Sequence, residues 1–140
     1  MNASSDRLLR RTLWANAVLS MLSGVGLAAF ATPLAKLATH APVTVLGLDL
    51  AIVFELLGIG FVLFGAVCAW VAAQSRLPVA WARAIFLLDA SWVVITLGIL
   101  ALPVPWTGAG YAGVAVIGLV VADLAILEYL GLRRLGAATA

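Results

Sequence analysis

Four long apolar segments divide this chain, and each is long enough to cross a bilayer as a helix. They run from about Thr12 to Ala31, from Leu50 to Ala73, from Ala82 to Leu102 and from Ala109 to Gly131. A spanning helix needs about 20 apolar residues. All five prolines fall between the segments, as expected for helices, because proline breaks a helix. The pattern predicts an all-α fold, a four-helix transmembrane bundle.

The lengths of the connections predict how these helices are arranged. The second and third connections, 74–81 and 103–108, are short, so consecutive helices should be antiparallel neighbours. The first connection, 32–49, is the longest, and its stretch 33–38 is expected to form a short helix on the outer surface. We therefore expect one transmembrane domain, residues 1–140, with up-down-up-down topology.

The basic residues predict the orientation in the membrane. Seven arginines precede the first span, flank the second connection or follow the last span: Arg7, Arg10, Arg11, Arg76, Arg83, Arg133 and Arg134. Only Lys36 would lie on the other side, so the positive-inside rule places both termini in the cytoplasm. The preference for Arg over Lys, with abundant Ala and Leu, is typical of a GC-rich bacterial genome. We therefore expect a bacterial inner-membrane protein.

A cleaved signal peptide is the alternative for the first span. Arg10 and Arg11 precede an apolar run that ends at the small-residue site Ala29-Phe30-Ala31, which is the layout of a signal sequence. However, the run is longer than a typical signal core, and it contains polar residues. Cleavage would leave three spans in the same orientation, so we expect four spans and keep cleavage open.

Composition narrows the functional classes. Apolar residues make up 65% of the chain and charged residues 10%, which indicates that lipid is the solvent. The basic residues are scattered, so no nucleic-acid partner is expected. One cysteine, Cys68, and one histidine, His40, cannot form a disulfide within the chain, a structural zinc site or a bis-histidine haem site. No phosphate-binding loop or catalytic triad is recognisable, so we expect no cofactor, and an enzyme is the less favoured class.

Polar side chains inside the spans are the informative ones, because lipid cannot satisfy them. The first span carries a polar stripe on one helical face: Thr12, Asn16, Ser20 and Ser23. This stripe should face the bundle, with Val18 and Leu22 more exposed to lipid. Ser20, Gly24 and Ala28 form a row of small residues beside this stripe. Such a row permits another helix to approach closely.

Three acidic residues are expected inside the other spans. Glu55 should face another helix, since the face that follows it is made of small residues. Asp89 shares its face with Trp92 in the third span, and Asp123 lies in the fourth. Glu128 is expected to point elsewhere, near the cytoplasmic boundary, where an arginine or a lipid headgroup would balance it.

The depths of these acids predict a cluster. The helical rise puts Asp89 about 10 Å and Asp123 about 12 Å above the inner boundary, in the same half as Asn16 and Ser20. Glu55 stands apart, about 8 Å below the outer surface. We therefore expect Asp89 and Asp123 to meet near Asn16 or Ser20 and to share a proton, because two carboxyls in a low dielectric resist double ionisation.

Two interpretations of this cluster remain open. In the first, the polar groups have a structural role alone and hold the helices together by hydrogen bonds. In the second, they mark a proton path or a ligand site. The candidate ligand- or proton-binding residues are Asp89, Asp123, Asn16, Ser20, Glu55 and Trp92. The favoured function is a small membrane protein that binds or conducts a small solute, a proton or a lipophilic ligand through a polar interior.

The alternatives belong to other classes. An accessory or assembly subunit would use its polar residues only for structure, and a membrane enzyme acting on lipid or quinone would use its carboxyls as acid and base. A chain of 140 residues leaves little room for a conduction path of its own. The expected partners are therefore the bilayer and either a second copy or another membrane protein.

The chain as a whole resembles small four-span bacterial inner-membrane proteins without an assigned activity. The resemblance rests on the arginine-rich start before Leu13-Trp14-Ala15-Asn16, on Leu88-Asp89-Ala90-Ser91-Trp92-Val93 and on Tyr129-Leu130-Gly131-Leu132-Arg133-Arg134. It implies a four-helix membrane fold and no particular reaction.

Overall fold

The computed structural model describes the backbone of residues 3–137 and the side chains of residues 6–135. It consists of five helices and one short hairpin. The elements are α1 (Ala3–Ala29), α2 (Ala31–Ala38), β1 (Thr44–Val45), β2 (Leu48–Asp49), α3 (Leu50–Ala73), α4 (Val79–Ala101) and α5 (Gly108–Ala137).

The predicted all-α bundle is confirmed. Helices α1, α3, α4 and α5 each contain a stretch long and apolar enough to cross a membrane. Helix α3 has the limits that hydropathy predicted, whereas α1 and α5 extend past the apolar runs into the arginine-rich segments at both chain ends. The predicted short helix in the first connection is present as α2, and only Phe30 separates it from the end of α1.

One end of the bundle carries the hairpin and is called the hairpin end here. Thr44 pairs with Asp49 and Val45 with Leu48 across a two-residue turn. Leu46 and Gly47 both have positive φ, 52° and 82°, as in a type I′ turn. This turn normally uses Asn and Gly, because a larger side chain is strained in the left-handed region.

The start of α5 is fixed to the end of α2 at the same end of the bundle. The Thr107 amide donates to the Ala38 carbonyl at 2.9 Å, and His40 N donates to Pro105 O at 2.9 Å. The Thr107 hydroxyl donates to Leu37 O at 2.5 Å and accepts a bond from Gly110 N at 2.9 Å. Thr107 therefore caps α5 and joins it to α2.

The opposite end, called the arginine end, is held by Arg10. Its guanidinium donates to the Ala72 carbonyl, to the Gln74 carbonyl at 2.7 Å and to Asp6 at 3.0 Å. These bonds satisfy carbonyls at the end of α3 that have no partner within the helix. A buried apolar cluster at this end includes Leu9, Leu13 and Ala72, whose carbonyl accepts from Arg10.

Glycines bring α1 and α3 into backbone contact. A Cβ placed on Gly58 would lie 2.6 Å from both Ala28 N and Gly24 O, and one on Gly65 would lie 2.9 Å from Ala17 O. Such contact needs residues without a side chain at the crossing, and the small-residue row predicted on α1 lies at this crossing. In contrast, the backbones of α3 and α4 come close at few positions, which leaves a gap that only large side chains bridge.

Candidate functional site

A buried polar cluster joins three helices in the half of the bundle nearer the arginine end. The Asn16 amide on α1 donates to Asp89 Oδ2 on α4 at 2.5 Å and to Glu128 Oε1 on α5 at 3.0 Å. The two accepting oxygens are therefore at most about 5.5 Å apart. The Ser20 hydroxyl donates to Asn16 Oδ1 at 2.9 Å. Every polar hydrogen of the Asn16 side chain thus has an acceptor, which fixes its orientation.

The cluster is excluded from the surface of the chain. Asn16, Asp89 and Glu128 have exposed fractions of 2%, 5% and 0%. Glu128 Oε2 is also buried and accepts no hydrogen bond from any donor in the part of the chain that the structure describes. Two carboxyls bridged by one neutral amide are a costly arrangement inside a membrane, so a bound proton or cation would stabilise the cluster.

The partner predicted for Asp89 was wrong. We expected Asp123, but Asp123 is exposed on the outer face of α5, and Glu128 occupies the place next to Asp89. The expectation that Glu128 points elsewhere near the boundary was also wrong. Residues five apart on a helix differ by about 140° in direction, so one of these two acids must face outward when the other faces inward.

The glycines of α5 are the sequence signal that could have identified Glu128. Gly110, Gly118 and Gly131 are buried, and a Cβ on each would be less than 3.0 Å from Ala38, Thr96 and Leu9 respectively. At 100° per residue the direction of Glu128 falls among these three glycines. Small residues mark the packed face of a membrane helix, whereas apolar residues cover both faces of α5 and mark neither.

The prediction for Glu55 was also wrong. Glu55 is exposed on the outer surface of α3 rather than packed against another helix. The packed face of α3 is the one that carries Gly58, Gly65 and Cys68. The predicted row of small residues ran from Gly58 through Val62 and Ala66 to Ala69. Gly58 is buried as expected, but Ala66 is exposed, so the row does not follow the packed face.

The polar stripe on α1 is inward for most of its length. Thr12 and Asn16 are buried and Ser20 is half-buried, while Val18 and Leu22 are exposed as predicted. Ser23 is exposed, which differs from the prediction. It nevertheless lines a cavity that lies beside Ser20.

This cavity occupies the gap between α3 and α4 and extends from the polar cluster toward the hairpin. Its volume is about 650 Å³, within the usual range of ligand pockets in proteins. Asn16, Ser20 and Asp89 contribute to its surface at one limit, and Leu46 of the hairpin turn contributes at the other. Most of the remaining wall is apolar. Among the described residues, Asp89 is the only ionisable one that lines it.

Aromatic rings form part of the cavity wall beside the carboxyl. Trp92, one turn from Asp89 on α4, packs edge-to-face against Phe61 of α3 with ring centroids 5.0 Å apart. Trp92, Phe61 and Phe64 all line the cavity. The Trp92 Nε1 atom is buried and donates to no acceptor in the described part of the chain. The predicted site residues Asn16, Ser20, Asp89 and Trp92 thus lie together, and Asp123 and Glu55 do not join them.

The arrangement combines a small group of polar side chains with a mainly apolar space. The side chains between 6 and 135 contain no group of three His, Cys, Asp or Glu residues that could hold a metal ion. The polar groups are tied to one another, and the free space beside them is mainly apolar. An elongated apolar molecule with one polar end fits a cavity that has an apolar wall and polar groups at one limit.

Comparison with known proteins adds no family. No protein-family model, no curated protein and no solved structure matches the chain.

Proposed function

We propose that this protein is a ligand-binding integral membrane protein that holds a lipophilic molecule in the cavity between α3 and α4. The apolar body of the ligand contacts the cavity wall, and its polar end reaches Asn16, Ser20 and Asp89. The observation that carries the proposal is the 650 Å³ cavity with its polar groups at one limit. Several lining side chains are exposed, Leu56 and Leu88 among them, so the cavity opens at the side of the bundle and a lipophilic molecule can enter it from the membrane.

Gly60 offers a direct test, because it lines the cavity and a Cβ there would meet nothing within 4 Å. We expect Gly60→Leu to fold normally and to fill part of the space that the ligand needs. Native mass spectrometry of the detergent-purified protein reports retained small molecules, and titration with the uncharged aromatic probe N-phenyl-1-naphthylamine reports binding. The wild type should bind one probe per chain, and Gly60→Leu should bind at least about tenfold more weakly.

Gly98→Leu is the matched control for this experiment. Gly98 lies in α4, is exposed, and likewise has open space where a Cβ would be, but it does not line the cavity. Gly98→Leu should bind the probe like the wild type. Equal binding by all three proteins would mean that the probe associates with the micelle or an outer surface, and the proposal would then be wrong.

We further propose that the chain lies in a bacterial inner membrane with both termini in the cytoplasm. The support is the distribution of seven arginines against Lys36, because basic residues are retained on the cytoplasmic side. A cytoplasmic reporter fused after α5 should be active, and a reporter that needs export should be inactive there. The reverse result would contradict this orientation.

A purely structural role for the polar cluster is the second candidate. It is favoured by the Asn16 side chain, which bridges α4 and α5 and has all its hydrogen bonds satisfied within the chain. In that case the protein is an accessory subunit, and the cavity is filled by lipid chains without selectivity. The Gly60→Leu variant would then leave every measured function of its membrane partner unchanged.

A further inference from the structure

We infer that the ligand of this cavity is a lipophilic organic cation, whose positive centre lies against Asp89 and the neighbouring aromatic rings. The inference rests on the proposed function, since it names the class of molecule that the cavity would hold. Its basis is the combination of one carboxyl, an aromatic wall and a mainly apolar lining.

The charge of the cavity has one sign. Asp89 lines it and no basic side chain does. The sequence contains no Arg, Lys or His between residues 84 and 132, which covers the membrane part of α4 and α5, or between residues 12 and 35 of α1 and α2. An ionised carboxyl that faces an apolar space requires a counter-charge. A cation that enters the cavity supplies it, whereas an anion would be repelled.

Glu128 strengthens the same preference from behind the cavity wall. It is wholly buried, shares the Asn16 amide with Asp89, and keeps Oε2 without a hydrogen-bond donor in the described part of the chain. The neutral amide of Asn16 cannot compensate two carboxyls. Even when the two carboxyls share one proton, one negative charge remains close to the polar limit of the cavity.

The aromatic residues suit the same class of ligand. Trp92 and Phe61 lie edge-to-face at 5.0 Å, and with Phe64 they form a wall next to Asp89. Faces of Trp and Phe attract cations, most strongly where water is excluded. A carboxyl and aromatic faces together recognise a substituted ammonium or phosphonium centre, and the apolar remainder of the cavity accommodates its hydrocarbon groups.

The test compares two ions of the same shape and opposite charge. The full-length protein is placed in phosphatidylcholine nanodiscs, and binding of tetraphenylphosphonium and of tetraphenylborate is measured by equilibrium dialysis, with empty nanodiscs subtracted. We expect saturable binding of the phosphonium at one site per chain and no saturable binding of the borate. Saturable binding of the borate with equal or higher affinity would overturn the inference.

Two substitutions that remove the same charge locate the effect. Asp89→Asn keeps the shape and hydrogen-bonding capacity of the side chain at the cavity and should weaken phosphonium binding at least about tenfold. Asp123→Asn removes one charge from the outer face of α5 and should leave binding unchanged. Equal effects of both substitutions would show that only the net charge matters and would overturn the inference.

Gly60→Leu separates this inference from the proposed function. If it removes binding of an uncharged probe while Asp89→Asn leaves phosphonium binding unchanged, the cavity binds ligands but does not select cations. If Gly60→Leu affects neither probe, the cavity is not a ligand site and the proposed function itself fails. A circular dichroism melting curve for each variant identifies any that does not fold, and Trp92→Leu then provides a second variant of the same wall, with weaker phosphonium binding expected.

Discussion

The two faces of α3 are built in opposite ways, although both consist of apolar and small residues. One face presents Gly58 and Gly65 to α1, and the helices touch through their backbones. The other presents Gly60, Phe61 and Phe64 to a cavity of about 650 Å³. Gly58 and Gly60 are two residues apart, yet a Cβ on the first would collide with α1 and a Cβ on the second would meet nothing.

The difference shows where this bundle is stable and where it is available for binding. Without a hydrophobic driving force between helices in lipid, close packing and hydrogen bonds hold them together. The α1–α3 pair obtains the packing, and the Asn16 cluster joins α1 to the α4 and α5 helices by hydrogen bonds. The backbones of α3 and α4 come close at few positions, and ring contacts such as Phe61–Trp92 join them instead, so this boundary can accommodate a ligand without loss of the backbone packing that holds α1 and α3 together.

Gly58→Leu should have the largest effect, because it breaks the packed face. The added side chain would displace α1 along the backbone contact with Gly24 and Ala28, and we expect a loss of about 4 kcal/mol or more in the free energy of unfolding. Unfolding by sodium dodecyl sulfate in mixed micelles, followed by circular dichroism, measures it. Gly60→Leu on the open face should change the free energy of unfolding little. Similar losses for the two variants would show that the faces do not differ.

Asn16→Leu should have an intermediate effect, because it removes the hydrogen bonds that join the packed pair to the other two helices. Asp89 and Glu128 would lose the amide that they share, which should cost roughly 1–3 kcal/mol of unfolding free energy. The same detergent titration checks it. Ser23→Leu makes a comparable change at an exposed position of the same helix and should have little effect. An equal loss of unfolding free energy in both variants would mean that a leucine substitution destabilises α1 wherever it is placed, and that the hydrogen bonds of the cluster contribute nothing.

Leu46→Asn should have the smallest effect and the opposite sign. Leu46 has φ 52° and is 99% exposed, so Asn, which tolerates the left-handed region, should stabilise the hairpin by about 1 kcal/mol. Leu48→Asn, in the adjacent strand, is the control and should bring no gain. A decrease in the stability of Leu46→Asn would show that the leucine side chain contributes an apolar contact at the cavity that outweighs its backbone strain.

The acids of α5 illustrate how far sequence reasoning reached into the site. The depth of Asp89 and its proximity to Asn16 and Ser20 followed from helical rise and from the polar stripe. The choice between Asp123 and Glu128 as the partner of Asp89 could not be made in this way, because the helical rise gives the depth of a residue in the membrane but not the direction in which its side chain points. Both acids lie in a helix whose outer and inner faces are apolar, and only the close contacts of Gly110, Gly118 and Gly131 indicate which face is packed.

The sequence by itself determined that lipid surrounds the long helices of this protein, how many such helices there are and approximately where each begins and ends. These features follow from the run lengths of apolar residues and from proline positions, since the backbone must satisfy its own hydrogen bonds in lipid. Only the tertiary structure decided that Asp89 pairs with Glu128 through Asn16, that Glu55 and Asp123 face outward, and that α3 and α4 leave a cavity between them. The physical reason is that a membrane helix gains nothing from a polar outer face, so its pattern lacks the amphipathic signal that orients helices in water.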